Sequence, residues 1–256
     1  MYCAEMIFRV VKRRDDEQVA DGINTLVEAL QRNGQVLSDE WPIACARDRV
    51  QTYISIPERT SLQDRHANKW VRQARQKLLA SLSPPQVRIM GREPDALDVC
   101  KCRDRSAYIL LTDFLTLESP LRCANCFSPV PLYRIPHTSD CDTYEDIIFW
   151  RRNYQRCDGL QMGCTVGERF CTAQMARIDS DLSKQGLACC QRIEQVTGKP
   201  CYYYLYRYGG RSQRLERQRR CPRCGGAWLL DAPWHDKFDF RCDGCQLISN
   251  VSFSVE

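Results

Sequence analysis

The sequence predicts an α+β fold, read from two features: strand and helix periods alternate from Met1 to about Met90, and pairs of cysteines punctuate the rest of the chain. A hydrophobic fraction of 43% and a charged fraction of 27% sit near globular averages, so 256 residues can build a core that does not depend on metal. The N-terminal order is β-α-β-β-α-β, the ferredoxin-like arrangement, over residues 1–92.

Its first element is the β-branched and aromatic run CAEMIFRVV, bounded by the charged KRRDDE, which reads as a strand. Asp15 or Asp16 can cap a helix whose Val19, Ile23, Leu26 and Leu30 fall on one face, and Gly34 stops it. Extended segments follow over residues 35–44 and 50–56. Ser61 with Asp64 offers a capping-box-like start to a second helix, with Ala67, Trp70 or Val71, Ala74, Leu78 and Leu82 facing inward before Pro84 and Pro85. Its outer face carries Arg65, Lys69, Arg72 and Arg75, for which a solvated surface is the simpler reading and a nucleic-acid contact the sharper one. The run QVRIM supplies the fourth strand.

From Ala96 onward come CKC, the strand-like AYILLTDF and RCANCFSPVPLYRIP. Residues 144–156 read as a helix with Ile147, Ile148, Trp150 or Arg151, and Tyr154 on one side. Residues 181–196 read as another, ended by Gly198 and Pro200. CYYYLYRYGG then favours a strand that Gly209-Gly210 terminates.

The most specific chemistry lies in Cys221-Pro-Arg-Cys224 and Cys242-Asp-Gly-Cys245, the second pair beginning after seventeen intervening residues. Each Cys-x-x-Cys bends its backbone to aim two thiolates at one metal, and the intervening length suits a short hairpin. Strands over 227–230, 238–241 and 247–255 would frame it, with Gly225, Gly226 and Gly244 supplying positive φ. Four thiolates fill a tetrahedral shell, leaving no open position for water, so the expected ion is a structural Zn2+; a redox dithiol would need only one such pair.

Cys100 and Cys102 with Cys123 and Cys126 echo this design and would form a second Zn2+ site. A single intervening residue makes the first pair the poorer chelate, with His137, Cys141, Cys157 and Cys164 as substitutes. Cys157, Cys164 and Cys171 recur at sevenfold spacing, but Gly159, Gly163 and Gly167 argue against one helix across them. Vicinal Cys189 and Cys190 fall in a helix, one thiol expected in the core and the other exposed. The chain thus divides into residues 1–92, a central zinc-knuckle and helical region over 93–206, and a basic segment with a C-terminal zinc ribbon over 207–256.

Net charge is only +5, but Arg207, Arg211, Arg214, Arg217, Arg219, Arg220 and Arg223 crowd one stretch against a single Glu and abut the ribbon. Such a patch attracts phosphate, although a solvated linker explains it equally well. The run from Tyr202 to Tyr208 could stack on bases of a single strand, or simply pack as a strand. No G-x-x-x-x-G-K-[ST], G-x-S-x-G or H-E-x-x-H occurs, Asp179 with Asp181 reads as a helix cap, and three histidines in all nominate no active site and no small-molecule substrate. The opening residues lack the h-region of a signal peptide, and no stretch approaches the ~18 apolar residues of a membrane span. A cytoplasmic protein without a membrane partner is expected, in which the 17 cysteines are ligands or thiols and not cross-links.

Together RCANCFSPVPLYRIP, CYYYLYRYGGRS and CPRCGGAWLL with FDFRCDGC resemble a family of uncharacterised bacterial proteins described as zinc-ribbon-containing and nucleic-acid-binding, a likeness running from MYCAEMIFRV to the end. The resemblance implies bound zinc and, through the ribbon, nucleic acid. The expected function is nucleic-acid binding through the basic segment beside a structural zinc; the alternative is a non-catalytic protein-interaction adaptor stabilised by zinc.

Overall fold

Alternation in YCAEMIFR sends Ala4, Met6 and Phe8 to one face of the first strand, and that face seeds the N-terminal core. The computed structural model describes residues 1–12 and 15–255. It is a mixed α+β protein with two sheets, divided into two units.

The first unit comprises residues 1–99, 117–119 and 128–145. Its elements are β1 (Tyr2–Arg9), α1 (Asp16–Arg32), β2 (Ile43–Cys45), β3 (Arg49–Ile56), α2 (Lys69–Leu78) and β4 (Gln86–Arg92). The sheet order is β2-β3-β1-β4, with every neighbouring pair antiparallel. Val19, Ile23, Leu26 and Leu30 of α1 pack with Val71, Ala74 and Leu78 of α2 into one cluster with β1. Each of the Val, Ile and Leu side chains, taken from water to the interior, contributes about 1.5–3 kcal/mol.

Three local expectations change. Helix α2 starts after Asn68, whose side chain accepts from the Val71 N–H, and not at Ser61. Ser61 instead closes a turn, its hydroxyl donating to the Glu58 carbonyl while the Glu58 N–H donates back to it. Val71 faces inward while Trp70 is exposed, and Leu82 is buried beyond the helix in a bridge to Val10. The extended segment over 35–44 shortens to β2. Before it, Asn33 and Gln35 are buried and tied by side-chain bonds to each other, to the His66 carbonyl and to the Ser61 carbonyl, which replace ladder bonds.

The second unit comprises residues 100–116, 120–127 and 146–256. It holds β5 (Tyr108–Leu110), β6 (Leu121–Cys123), α3 (Glu145–Met162, whose first residue belongs to the first unit), α4 (Glu168–Ala176), α5 (Asp181–Thr197), β7 (Cys201–Tyr204), α6 (Gln213–Arg217), β8 (Leu229–Trp234), β9 (Phe238–Cys242) and β10 (Leu247–Ser249). The order β6-β5-β7-β10-β9-β8 places β7 between two parallel neighbours. Its run CYYY is buried at all four positions, as a strand covered on both faces requires.

Helix α5 lies close against β7 because Gly186 has no side chain; a Cβ there would sit 2.1 Å from the Tyr203 ring and 2.7 Å from Trp150 Nε1. Ser180 caps α5 by accepting from the Ser183 N–H, and Gly198 ends it at φ +66°. Between α3 and α4 the chain turns through Gly167 at φ +71°, so Cys157, Cys164 and Cys171 do not share a helix. In the ribbon the first strand runs over β8, later than expected. The last stops at Ser249, because the Asn250 side chain turns to the carbonyls of Arg207 and Val251. Among the described residues no helix is long and apolar enough to cross a membrane.

Candidate metal centres

Two groups of four cysteines converge in the second unit. In each, the four sulfurs lie within 4.8 Å of one another: Cys221, Cys224, Cys242 and Cys245 form one, and Cys100, Cys102, Cys123 and Cys126 the other. Bonds of about 2.3 Å to a tetrahedral zinc imply sulfur–sulfur edges of about 3.8 Å. Cys224 Sγ and Cys242 Sγ are 3.7 Å apart. Four thiols and no carboxylate or imidazole suit a soft or borderline ion, and both groups could hold metal consistent with zinc.

Three of the four cysteine pairs share one local design. After Cys224, Gly225 takes φ +69°; after Cys245, Gln246 takes +53°; after Cys126, Phe127 takes +60°. This left-handed residue reverses the chain, and in two of the three its N–H donates back to the first cysteine carbonyl, 2.8 Å for both Gly225 to Cys221 and Phe127 to Cys123. Gly226 and Gly244 are not left-handed, contrary to expectation; the required position follows each second cysteine. A non-glycine residue there costs about 1–2 kcal/mol. Gln246 is held by bonds from its amide to Glu194, 2.9 Å to each oxygen. Phe127 is held between Phe238 at 5.7 Å and His235 at 5.0 Å.

Cys100 and Cys102, separated by one residue, form no such turn. Cys100 is buried, and Arg105 compensates by donating Nε–H to its sulfur at 3.4 Å, placing a cation beside thiolate charge. The Asn125 side chain, within the other pair, accepts from the N–H and hydroxyl of Ser106 and so fixes the loop opposite. The substitutes are not used: His137 bonds Asn33 in the first unit, and Cys141, Cys157 and Cys164 lie outside the group.

The Gly226 N–H and the neighbouring thiols draw Cys224 down to about 7. Burial and the same neighbours push Cys245 up to about 12, and hydrogen bonds with Cys126 and Cys100 push Cys102 up to about 12. Thiols this close cannot all ionise without a cation among them, which is the electrostatic situation a divalent ion resolves. Cys123 ends β6 and Cys242 ends β9, four strand spacings apart. At ~4.8 Å each this is roughly 19 Å, so the groups are separate sites and not one cluster.

Beside the ribbon, two of the seven arginines turn inward. Glu216 is buried; its Oε2 accepts from Arg207 Nε at 3.0 Å and lies 2.9 Å from Arg219 Nε. Arg219 also donates to the Asn250 carbonyl at 2.6 Å and lies over the Phe240 ring at 4.4 Å. Burial draws its guanidinium down to about 10. Arg211, Arg214, Arg217, Arg220 and Arg223 are exposed. Of the tyrosines, Tyr202, Tyr203 and Tyr204 are buried in β7; Tyr206 and Tyr208 remain partly open and stack with centroids 6.4 Å apart. Cys189 and Cys190 are both buried, not one in and one out, and burial raises both thiols, which leaves them unreactive.

Three family models match the chain, each described as a domain of unknown function: DUF8589 over residues 1–91, DUF2310 over 102–206 and DUF8594 over 210–255. An uncharacterized protein of Haemophilus influenzae is 33% identical over 264 aligned residues, spanning 99% of this chain and 99% of the relative. A second uncharacterized protein of that organism is 43% identical over 150 residues, covering 57% of this chain and 71% of its own length.

Proposed function

The chain belongs to the same family as the uncharacterized Haemophilus influenzae protein it matches from end to end, with a DUF2310 domain in its middle, and on that premise we propose a zinc-stabilised, nucleic-acid-binding protein. In this reading both four-cysteine groups hold structural Zn2+, and the basic segment next to the ribbon contacts phosphate. One observation carries it: Arg211, Arg214, Arg217, Arg220 and Arg223 are exposed and make no ion pair among the described residues, beside a knuckle that fixes the backbone. Tyr206 and Tyr208 supply stacking faces for a single strand.

The N-terminal unit is read as ferredoxin-like, a reading supported by its sheet order and antiparallel neighbours, within a division into residues 1–92, 93–206 and 207–256. A cytoplasmic setting is part of the proposal, supported by 17 cysteines of which none is disulfide-bonded.

Binding of a single-stranded oligonucleotide tests the function. If all five arginines meet phosphates, log affinity falls with log salt at a slope of about −3.5, so that raising salt from about 50 to 200 mM weakens binding roughly 100-fold. Changing the five to Ala while sparing Arg207 and Arg219 should abolish that dependence. Unchanged affinity in this variant would refute the reading. The adaptor alternative draws on exposed Phe149, Leu160 and Phe170 in the second unit, and a stoichiometric protein partner purified without nucleic acid would favour it.

A further inference from the structure

The second unit contains a cavity of about 400 Å3 that shares no residue with either four-cysteine group or with the arginines. Tyr154, Tyr204, Tyr206, Phe238 and Phe253 contribute its aromatic lining, and Asp113, Asp158, Asp236 and Lys237 its charged groups. Three carboxylates against one ammonium make the lining net negative.

Asp158 is the unusual member. It is 7% exposed, and one of its oxygens accepts the Phe114 N–H at 2.8 Å. The other oxygen has no hydrogen bond, and the carboxylate no ion pair, among the described residues. The other charges do not compensate it. Asp113 is satisfied by its own loop, accepting from the Leu115 and Thr116 N–H groups and the Thr116 hydroxyl. The Lys237 ammonium lies over the Phe127 ring, 5.9 Å from its centroid. The Tyr204 hydroxyl is committed to Asn250 and that of Tyr206 to Gln161, whereas the buried Tyr154 hydroxyl has no partner among the described residues.

A buried carboxylate without a cation is costly, and aromatic faces carry partial negative charge. Both features repel phosphate and attract a positive group. We propose that this cavity binds a small organic ammonium ion, an alkylamine or diamine, with its nitrogen on Asp158 and its methylenes against the aromatic wall. Burial, with the charge of Asp113 adding to it, already raises the Asp158 carboxyl, and a bound ammonium supplies the missing counter-charge.

Calorimetric titration of the full metal-loaded chain with putrescine and with butylammonium tests this, adenosine serving as a neutral, flat competitor class. Saturable one-to-one amine binding is expected, with Asp158→Asn weakening it about tenfold or more and adenosine not binding. Asn retains an acceptor for the Phe114 N–H, and circular dichroism reports whether that variant folds. Tyr206→Leu, on the half-exposed wall, provides a second variant in which affinity should fall several-fold. Dissociation constants weaker than about 10 mM for both amines would overturn the proposal, as would a folded Asp158→Asn protein that binds within twofold of the parent. If Asp158→Asn does not fold, undiminished affinity in Tyr206→Leu overturns it. Adenosine binding that depends on Asp158 would assign the cavity to a base instead.

Discussion

Replacing Glu216 with Gln should destabilise the second unit by about 3–5 kcal/mol, although the side chain keeps its shape. The carboxylate is buried between Arg207 and Arg219, and it is the group that offsets the charge of an Arg219 seated over Phe240. A neutral amide leaves that guanidinium desolvated and uncompensated. For a unit of this size the loss corresponds to a fall of roughly 10–20 °C in the midpoint of thermal unfolding. Scanning calorimetry on metal-loaded protein reads it, with exposed Arg211→Ala, expected within about 0.5 kcal/mol of the parent, as the control. The same ion pairs set a pH dependence. Arg207 and Arg219 hold the Glu216 carboxyl below its usual range against the opposing pull of burial, so its contribution is present above the unfolded-state value and lost as pH falls through the folded one. Changing Glu216 to Leu together with Arg219 to Met should recover part of the stability by removing the buried carboxylate with the more deeply buried of its two cationic partners, leaving only the half-buried Arg207 unpaired. A Glu216→Gln protein within about 1 kcal/mol of the parent would refute the inward assignment of these two arginines.

Gly186→Ala should cost about 1–3 kcal/mol or more, because the new methyl meets the Tyr203 ring, whereas Gly209→Ala, which meets nothing within 4 Å, should be nearly silent; chemical denaturation distinguishes the two. Arg105→Gln should loosen metal at the Cys100, Cys102, Cys123 and Cys126 group alone by about 10- to 100-fold, read by competition with a chromophoric chelator. Asn68→Ala should cost about 0.5–2 kcal/mol through loss of the α2 cap, whereas Asp64→Ala should show no capping loss, as thermal melts would report.

Local physics was legible where one short-range signal dominated. The spacing of Val19, Ile23, Leu26 and Leu30 placed α1, and the four Cys-x-x-Cys sulfurs of the ribbon were recognisable from spacing alone, because a two-residue gap by itself aims both thiols at one point. The left-handed position after each second cysteine was half visible. Gly225 announces itself, but Gln246 and Phe127 hold the same conformation through contacts that come from distant residues, Glu194 and Phe238. Long-range pairing was not legible. Nothing in the run CYYY says that Tyr202 pairs with Ile109 and Tyr203 with Leu247, because parallel register is set by segments far apart in the chain. Side-chain competition also hid boundaries: Ser61 resembles a helix cap but closes a turn on Glu58, and Asn250 ends β10 by bonding backbone across the unit. For the same reason Arg207 and Arg219 were indistinguishable in sequence from their five exposed neighbours, since only the fold brings them to Glu216.

Elemental analysis by plasma mass spectrometry, on protein exchanged into metal-free buffer, bears most directly on the two four-cysteine groups. Two zinc ions per chain are expected, falling to one when Cys221 and Cys224 become Ser and to one when Cys123 and Cys126 become Ser. Purified protein that holds no zinc, or a zinc content that neither pair of substitutions alters, would contradict the assignment of both centres.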